Sequence, residues 1–251
     1  MTVTGERVVT FERGFNPTYQ RHRAQYALCE RFLGPGRLLD LGCGIGHSFD
    51  LLAPRETVGV DKEPSALAGQ ARETHTADMR ELPFPPASFQ SSLSVQSIEH
   101  VPDPERVLAE VNRVLQPDGT AVFVTPNRLT FARADEIIDP YHYVEFDAEQ
   151  LRGMCAPRFA DVDLWGLYGS ERYLELLGDQ ADRLNALLRR DPLRLRRLIP
   201  RRLRQRLYDR RLTQERRAVD PREEAIEVTD FRLERDPLEE ALDVVAVCRK
   251  R

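Results

Sequence analysis

Over the first half of the chain, short apolar runs alternate with stretches whose apolar positions recur every three or four residues, so strand-like and helix-like patterns take turns. Residues 18–33 carry the helical spacing and stop at Gly34, Pro35 and Gly36. Residues 37–41 read as a short buried strand, and 46–53 as a helix running to Pro54. The pattern then predicts a strand at 57–61, a helix at 64–73, a weaker strand at 74–78 and a strand of lower hydrophobicity within 88–98. A strongly amphipathic helix at 103–115, opened by Asp103 and Pro104, leads through a turn into a buried strand ending at 126. Such alternation predicts an α/β fold, a parallel sheet with helices on both faces and right-handed crossovers.

After an irregular segment at 127–146, the pattern predicts a helix at 147–156, a strand at 159–168 and a last strand at 241–250. Roughly 70 residues separate those two strands, too many for a tight connection, so an insertion is expected there. Its first part, 171–190, reads as helix. Its second part spaces Leu195, Leu198, Leu203, Leu207 and Leu212 about four apart among arginines, with Pro200 as a break.

Three glycines, Gly42, Gly44 and Gly46, follow the first strand directly. Glycine at a strand-to-helix turn of an open parallel sheet lets the backbone approach a ligand beyond the strand ends. A dinucleotide fingerprint would put its third glycine at position 47, which is His47, so the pyrophosphate reading is weakened.

Composition narrows the class. The chain has 251 residues, 41% hydrophobic and 31% charged, enough for one domain with an appendage. It has no apolar run of about 18 residues, and charges interrupt the N-terminal stretch, so we expect a soluble cytoplasmic protein without membrane span or export signal. Cys29, Cys43, Cys155 and Cys248 form no CxxC pair, which argues against a disulfide framework or a cysteine zinc site. The net charge of −4 hides segregation: 15 arginines face five acids between Asp182 and Arg222, a local +10 that leaves about −14 elsewhere.

The series Asp40, Gly42, Gly44, Gly46 resembles motif I of the class I S-adenosylmethionine-dependent methyltransferases, and through roughly 18–165 the chain is most similar to their small single-domain type 11 group. The resemblance implies a Rossmann-like, doubly wound seven-stranded sheet whose last strand is antiparallel, with the helical insertion just before it. It divides the chain into an N-terminal helical segment (1–34), a cofactor-binding core (35–169), an arginine-rich insertion or lid (170–238) and the last core strand (239–251). The implied cofactor is S-adenosyl-L-methionine, with S-adenosyl-L-homocysteine as product. Asp40 matches the position near the methionine ammonium. Asp61, 21 residues further on at the tip of the second strand, suits both ribose hydroxyls as a bidentate acceptor, with Lys62 beside it. Asp78 matches the acceptor of the adenine amino group, with Met79 supplying backbone and Val95 lining the site. Phe89 is followed by Gln90 where the family commonly has Asp, at a position that is usually not a ligand. The stretch from His22 to Tyr26 is similar to an HxxRY sequence that closes over the cofactor in relatives, with Gln25 at the arginine position; Tyr19, His22 and Arg23 are its candidate contacts, against a merely structural amphipathic helix.

Methyl transfer is an in-line displacement that needs alignment and exclusion of water more than a covalent residue. For a hydroxyl acceptor a base helps, and His142 and His100 are the candidates. His142 lies in a segment that lines the acceptor pocket in relatives, with Tyr141, Tyr143 and Glu145 beside it. His100 has a structural alternative. A metal site from Asp135, Glu136, Asp139, His142 and Glu145 is weighed against an ordinary solvated loop, and no metal is expected. The arginine block reads in three ways: a lid whose leucines pack on the domain or on a second subunit in a homodimer, a cradle for an anionic small-molecule acceptor, or a binder of nucleic acid or an acidic membrane. Tyr208 is its one aromatic residue and an acidic run follows at once, which disfavours nucleic acid. The function this supports is methylation of a small or medium-sized molecule, at oxygen before nitrogen or carbon. Its alternatives are a nucleic-acid methyltransferase and a cofactor-binding scaffold without turnover.

Overall fold

The computed structural model describes residues 16–131, 136–191, 193–215 and 220–251. Helix α1 (Asn16–Cys29) precedes strand β1 (Leu38–Leu41), and β2 (Thr57–Asp61), the short α2 (Pro64–Leu67) and β3 (Glu73–Thr76) follow. Next come β4 (Phe89–Val95), α3 (Pro104–Val114), β5 (Leu115–Pro126), α4 (Ala148–Cys155) and β6 (Asp161–Gly169). The insertion holds α5 (Glu171–Leu188), α6 (Arg201–Glu215) and α7 (Pro221–Glu224), and the chain closes with β7 (Phe231–Glu234) and β8 (Asp243–Arg249).

The sheet has eight strands in the order β3, β2, β1, β4, β5, β8, β6, β7. Strands β1 to β5 pair in parallel, whereas β8 lies antiparallel between β5 and β6. The doubly wound architecture and antiparallel last strand stand as expected, but the count of seven is corrected to eight. The extra strand is β7, an edge strand antiparallel to β6 inside the stretch read as insertion. With four residues, only Phe231 and Leu233 turned inward and charged neighbours around them, it carries too little hydrophobic alternation to be seen in the sequence.

Two other elements are shorter than their patterns suggest. The helix expected at 64–73 ends at Leu67 because Gly69 takes φ +81°. Between Gly46 and Pro54 only a 3₁₀ turn forms, Phe49–Leu52.

Alternation along the central strands splits the core across the sheet. Leu39, Leu41, Phe89 and Phe123 face α3 and α4, whereas Leu38, Leu93, Val122 and Val245 face Tyr26 and Cys29 of α1. Helix α3 buries Val107, Leu108, Val111 and Val114, the stripe its periodicity predicts. A third cluster, with Ala24, Leu167, Tyr173 and Phe231, fastens the base of α5 to the sheet.

The leucine row of the insertion departs from expectation. Leu195, Leu198 and Leu203 are 57%, 81% and 47% exposed, so the row as a whole is not packed on its own domain; the Leu212 side chain lies outside the described residues. Polar contacts instead hold α6 and the turn before it to the segment before α4. Arg196 and Arg197 pair with the buried carboxylate of Glu136 at 2.5 and 3.0 Å. Arg201 donates to the carbonyls of Pro140 and Tyr141 at 2.8 and 3.0 Å, and the Tyr141 hydroxyl donates to Asp209 at 2.6 Å.

Candidate functional site

The strand order reverses between β1 and β4, and the crevice beyond their carboxyl ends is where such a sheet takes ligands. A cavity of about 280 Å³ lies there. Gly42, Gly44, Asp61 and Lys62 form one side of it; Asp78, Met79, Val95 and His100 line the rest of the predicted set. Asp40, Gly46, Tyr19, Arg23 and His142 are not on its wall.

The glycine loop turns tightly after β1, with φ of +73°, +53° and +69° at Gly42, Gly44 and Gly46. A Cβ on Gly42 would stand 2.5 Å from the Cβ of Ser97, so the loop after β1 and the loop after β4 touch through that missing side chain. Nothing lies within 4 Å of a Cβ position on Gly44, which therefore turns bare backbone to the cavity. Asp61, buried at the tip of β2, accepts from the Gly44 amide and the Glu63 amide, both at 2.9 Å. Asp78 is clasped by Arg80, at 2.7 Å from its Nη2, and that hydrogen bonding holds its carboxyl below the usual range.

Asp40 sits behind the loop, fully buried. It accepts the Tyr26 hydroxyl at 2.7 Å and lies 2.7 Å from Nη2 of Arg72, whose guanidinium is itself buried. Arg23 donates to the His47 carbonyl at 3.0 Å and to Asp50, and Tyr19 meets the His47 ring at 5.4 Å. Both therefore hold His47 and the end of the glycine loop. His22 and His47 line the cavity, and burial pushes their imidazoles down to about 4 and about 3, leaving both neutral.

Several site residues gave no signal in the sequence. Asp243, at the start of β8 and fully buried, accepts from Arg21 at 2.5 and 2.8 Å, from Gln25 at 2.7 Å and from Gln96 at 2.8 Å. It ties α1 to the sheet over more than 200 residues of sequence and the loop after β4 over 147, separations no local pattern reports. Gln25, the departure from the HxxRY stretch, thus has a partner, and Arg21 is the arginine beside it.

The two histidines, both candidates from the sequence, lie side by side at different depths. His100 is on the cavity wall, its Nδ1 3.3 Å from the Tyr141 carbonyl. His142 is buried behind it, ring centroids 5.0 Å apart, with Nδ1 2.9 Å from Glu145. Burial alone would lower His142, but Glu145, Asp139 and Glu99 outweigh it and raise it above the ordinary imidazole value. Glu99 is fully buried beside them, and burial pushes its carboxyl up to about 7. Of the acids first weighed as metal ligands, Glu136 is taken by arginines, Asp139 accepts the Tyr141 amide, and Asp135 lies outside the described residues.

On its far side His142 stacks near Phe131, at 5.3 Å, which lines a second, mostly apolar cavity of about 470 Å³ between α5, α6 and residues 136–140.

Residues 39–123 match the model of a methyltransferase domain family. A probable S-adenosylmethionine-dependent methyltransferase of Mycobacterium tuberculosis is 33% identical over 185 residues, which span 70% of this chain and 68% of that protein. The chain belongs to the S-adenosylmethionine-dependent methyltransferases. The tocopherol O-methyltransferase of Arabidopsis thaliana is 29% identical over a shorter 119 residues, 42% of this chain and 34% of that one. Among solved structures, a methyltransferase from Thermotoga maritima, described as a possible histamine N-methyltransferase, superposes with a TM-score of 0.62 over 93% of this chain and 92% of its own, at 16% identity; this likeness speaks for the fold. The cofactor is S-adenosylmethionine, and the cavity fits it: bare backbone at Gly44, a buried carboxylate at Asp61 and apolar walls at Met79 and Val95.

Proposed function

We propose that this methyltransferase modifies a hydroxyl of a small or medium-sized molecule carrying an apolar body and an anionic group. The observation that carries this reading is the stack of His100 and His142 between the cofactor cavity and the apolar cavity rimmed by Arg204 and Arg211. When bound, the cofactor supplies an electrophilic methyl group on a sulfonium. In our reading Asp61 holds the ribose hydroxyls, Asp78 and the Met79 backbone meet the adenine, and Gly42 and Gly44 bring the main chain against the methionine part. His22 and His47, neutral and half-buried, close this end without adding positive charge near a cation. Asp40 acts from behind, fixing Tyr26 and Arg72 under the loop, and Tyr19, Arg23 and Gly46 shape its end.

The Glu99, His100 and His142 cluster lowers the cost of removing the acceptor's proton, His100 facing the acceptor and His142 positioning it. The plant relative named for methylating tocopherol at oxygen supports oxygen as the target atom. Nucleic acid is disfavoured because Arg196, Arg197 and Arg201 are engaged inside the chain with Glu136 and two carbonyls. We read the protein as cytoplasmic, its four cysteines being buried free thiols, and no described helix is long and apolar enough to cross a membrane. The exposed leucines favour a homodimer, to be checked by the mass in solution.

The test is turnover. Wild-type protein with the cofactor and a pool of phenolic and aliphatic hydroxy acids should release S-adenosylhomocysteine. His100→Ala should lower kcat about 100-fold or more while cofactor affinity stays within a few-fold. Tight cofactor binding with no product from any acceptor pool would sink the assignment in favour of a scaffold.

A further inference from the structure

Glu99, His100 and His142 each offer one donor atom, and these atoms lie within 4.8 Å of one another. Glu99 and His100 belong to the turn after β4, whereas His142 arrives from a segment some forty residues later, held in place by the Tyr143 amide donating to the Glu99 carbonyl at 2.8 Å.

The hydrogen bonds around the cluster assign its tautomers. Nδ1 of His142 faces the Glu145 carboxylate, and Nδ1 of His100 faces the Tyr141 carbonyl. Both acceptors draw a ring proton to Nδ1, so in the neutral imidazole Nε2 is the nitrogen with ligand character. An imidazole oriented by a carboxylate or carbonyl on its other nitrogen is the usual outer support of a metal ligand. Glu99 completes the pattern. One of its oxygens accepts the Thr125 hydroxyl at 3.2 Å, while Oε1, in a residue that is 0% exposed, has no hydrogen-bond partner among the described residues. A buried, orphaned carboxylate oxygen next to two imidazole nitrogens is costly without something positive between them.

We propose that Glu99, His100 and His142 hold a divalent transition-metal cation, zinc or a close relative. Two imidazoles and one carboxylate are a donor set for such ions, and three protein ligands leave a coordination position open. Because His100 lines the cofactor cavity, that position opens to the cavity beside Tyr143. The role we give the cation rests on the hydroxyl-acceptor reading above: bound to the acceptor oxygen, it makes the hydroxyl more acidic, the O–H bond breaks and the proton passes to solvent water. The sequence reading weighs a different set, Asp135, Glu136, Asp139, His142 and Glu145, as an ordinary solvated loop and expects no metal; Glu99 and His100 stand some forty residues from His142 with no ligand spacing to mark them.

The test uses the full chain, stripped with a chelator and titrated with Co²⁺ as a spectroscopic probe and Zn²⁺ by calorimetry. One equivalent should bind, with visible absorption showing four- or five-coordinate Co²⁺, and Zn²⁺ should displace it. Glu99→Gln, which keeps the bond to Thr125, should abolish saturable binding. His100→Asn, on the less buried wall, serves as the second variant should the first fail to fold. Glu145→Gln should weaken binding 10- to 100-fold. No saturable Co²⁺ or Zn²⁺, binding indifferent to these substitutions, or binding of Mg²⁺ alone overturns the site. S-adenosylhomocysteine titrated into the same metal-free protein separates the failures: its binding without metal uptake refutes the cation alone, and metal uptake without its binding refutes the reading of the cofactor cavity.

Discussion

Gly42 and Gly44 stand two residues apart and are glycine for different reasons. At Gly42 any side chain collides with Ser97 across the crevice; at Gly44 a methyl group finds space, but that space is the cavity. Gly42→Ala should therefore cost stability, several degrees of Tm or more, since the clash adds to a φ of +73°. Gly44→Ala should cost about 1–2 kcal/mol for its left-handed backbone yet weaken cofactor binding more than tenfold. Thermal melting and cofactor calorimetry on both variants check this, and equal effects on affinity and stability at both positions would refute the distinction. Asp61→Ala should weaken cofactor binding by about 2 kcal/mol, since a charged acceptor is lost. The motif marks these positions because its glycines and acids are local in sequence. Glu99 and Asp243 went unnoticed for the opposite reason: a lone buried acid looks like any surface acid until distant donors surround it.

At the scale of elements, buried Asp243 locks α1 and the loop after β4 onto β8 through Arg21, Gln25 and Gln96. Asp243→Ala would leave the Arg21 guanidinium buried and unpaired, so we expect a loss of about 3–5 kcal/mol in denaturant unfolding. The base of the insertion has its own anchor in Asp230, which accepts from Arg172, Ser170 and the Glu227 amide. Burial would raise its pKa, but these donors prevail and hold it at about 2. Its contribution is therefore present above the ordinary carboxylate value near 4 and is lost as pH falls from there through about 2. Asp230→Asn should remove that part of the acid transition. The strands and α3 were legible because each buries a regular stripe, whereas β7 and the shortened α2 were not, one being too short and the other cut by the backbone of Gly69.

Across the whole molecule, His22 and His47 make folding sensitive to mild acid. Folded, they take up protons only near about 4 and about 3; unfolded, they do so near the ordinary imidazole value of about 6.5. The unfolded state then binds more protons over that interval, and stability falls as pH drops from about 6.5. Glu99, whose carboxyl is pushed up to about 7, and His142, raised above its ordinary value, act in the opposite sense over the same interval, so the contribution of His47 is read by difference: His47→Gln should lose less Tm than the wild type between pH 7 and 5, and an equal change in both would overturn a neutral His47 in the fold. The sequence by itself determined the α/β class, the strand that ends in the glycine loop, the carboxylate tips of β2 and β3, and the presence of an insertion, because each is written in short-range periodicity or in a motif a few residues long. Only the tertiary structure decided the eighth strand, the exposed leucine row, the position of His100 on the cavity wall with His142 behind it, the burial of Asp40 behind its loop and the meeting of Glu99 with both histidines. Those depend on which distant segments share the crevice and on how much water each charge keeps, and spacing along a chain records neither.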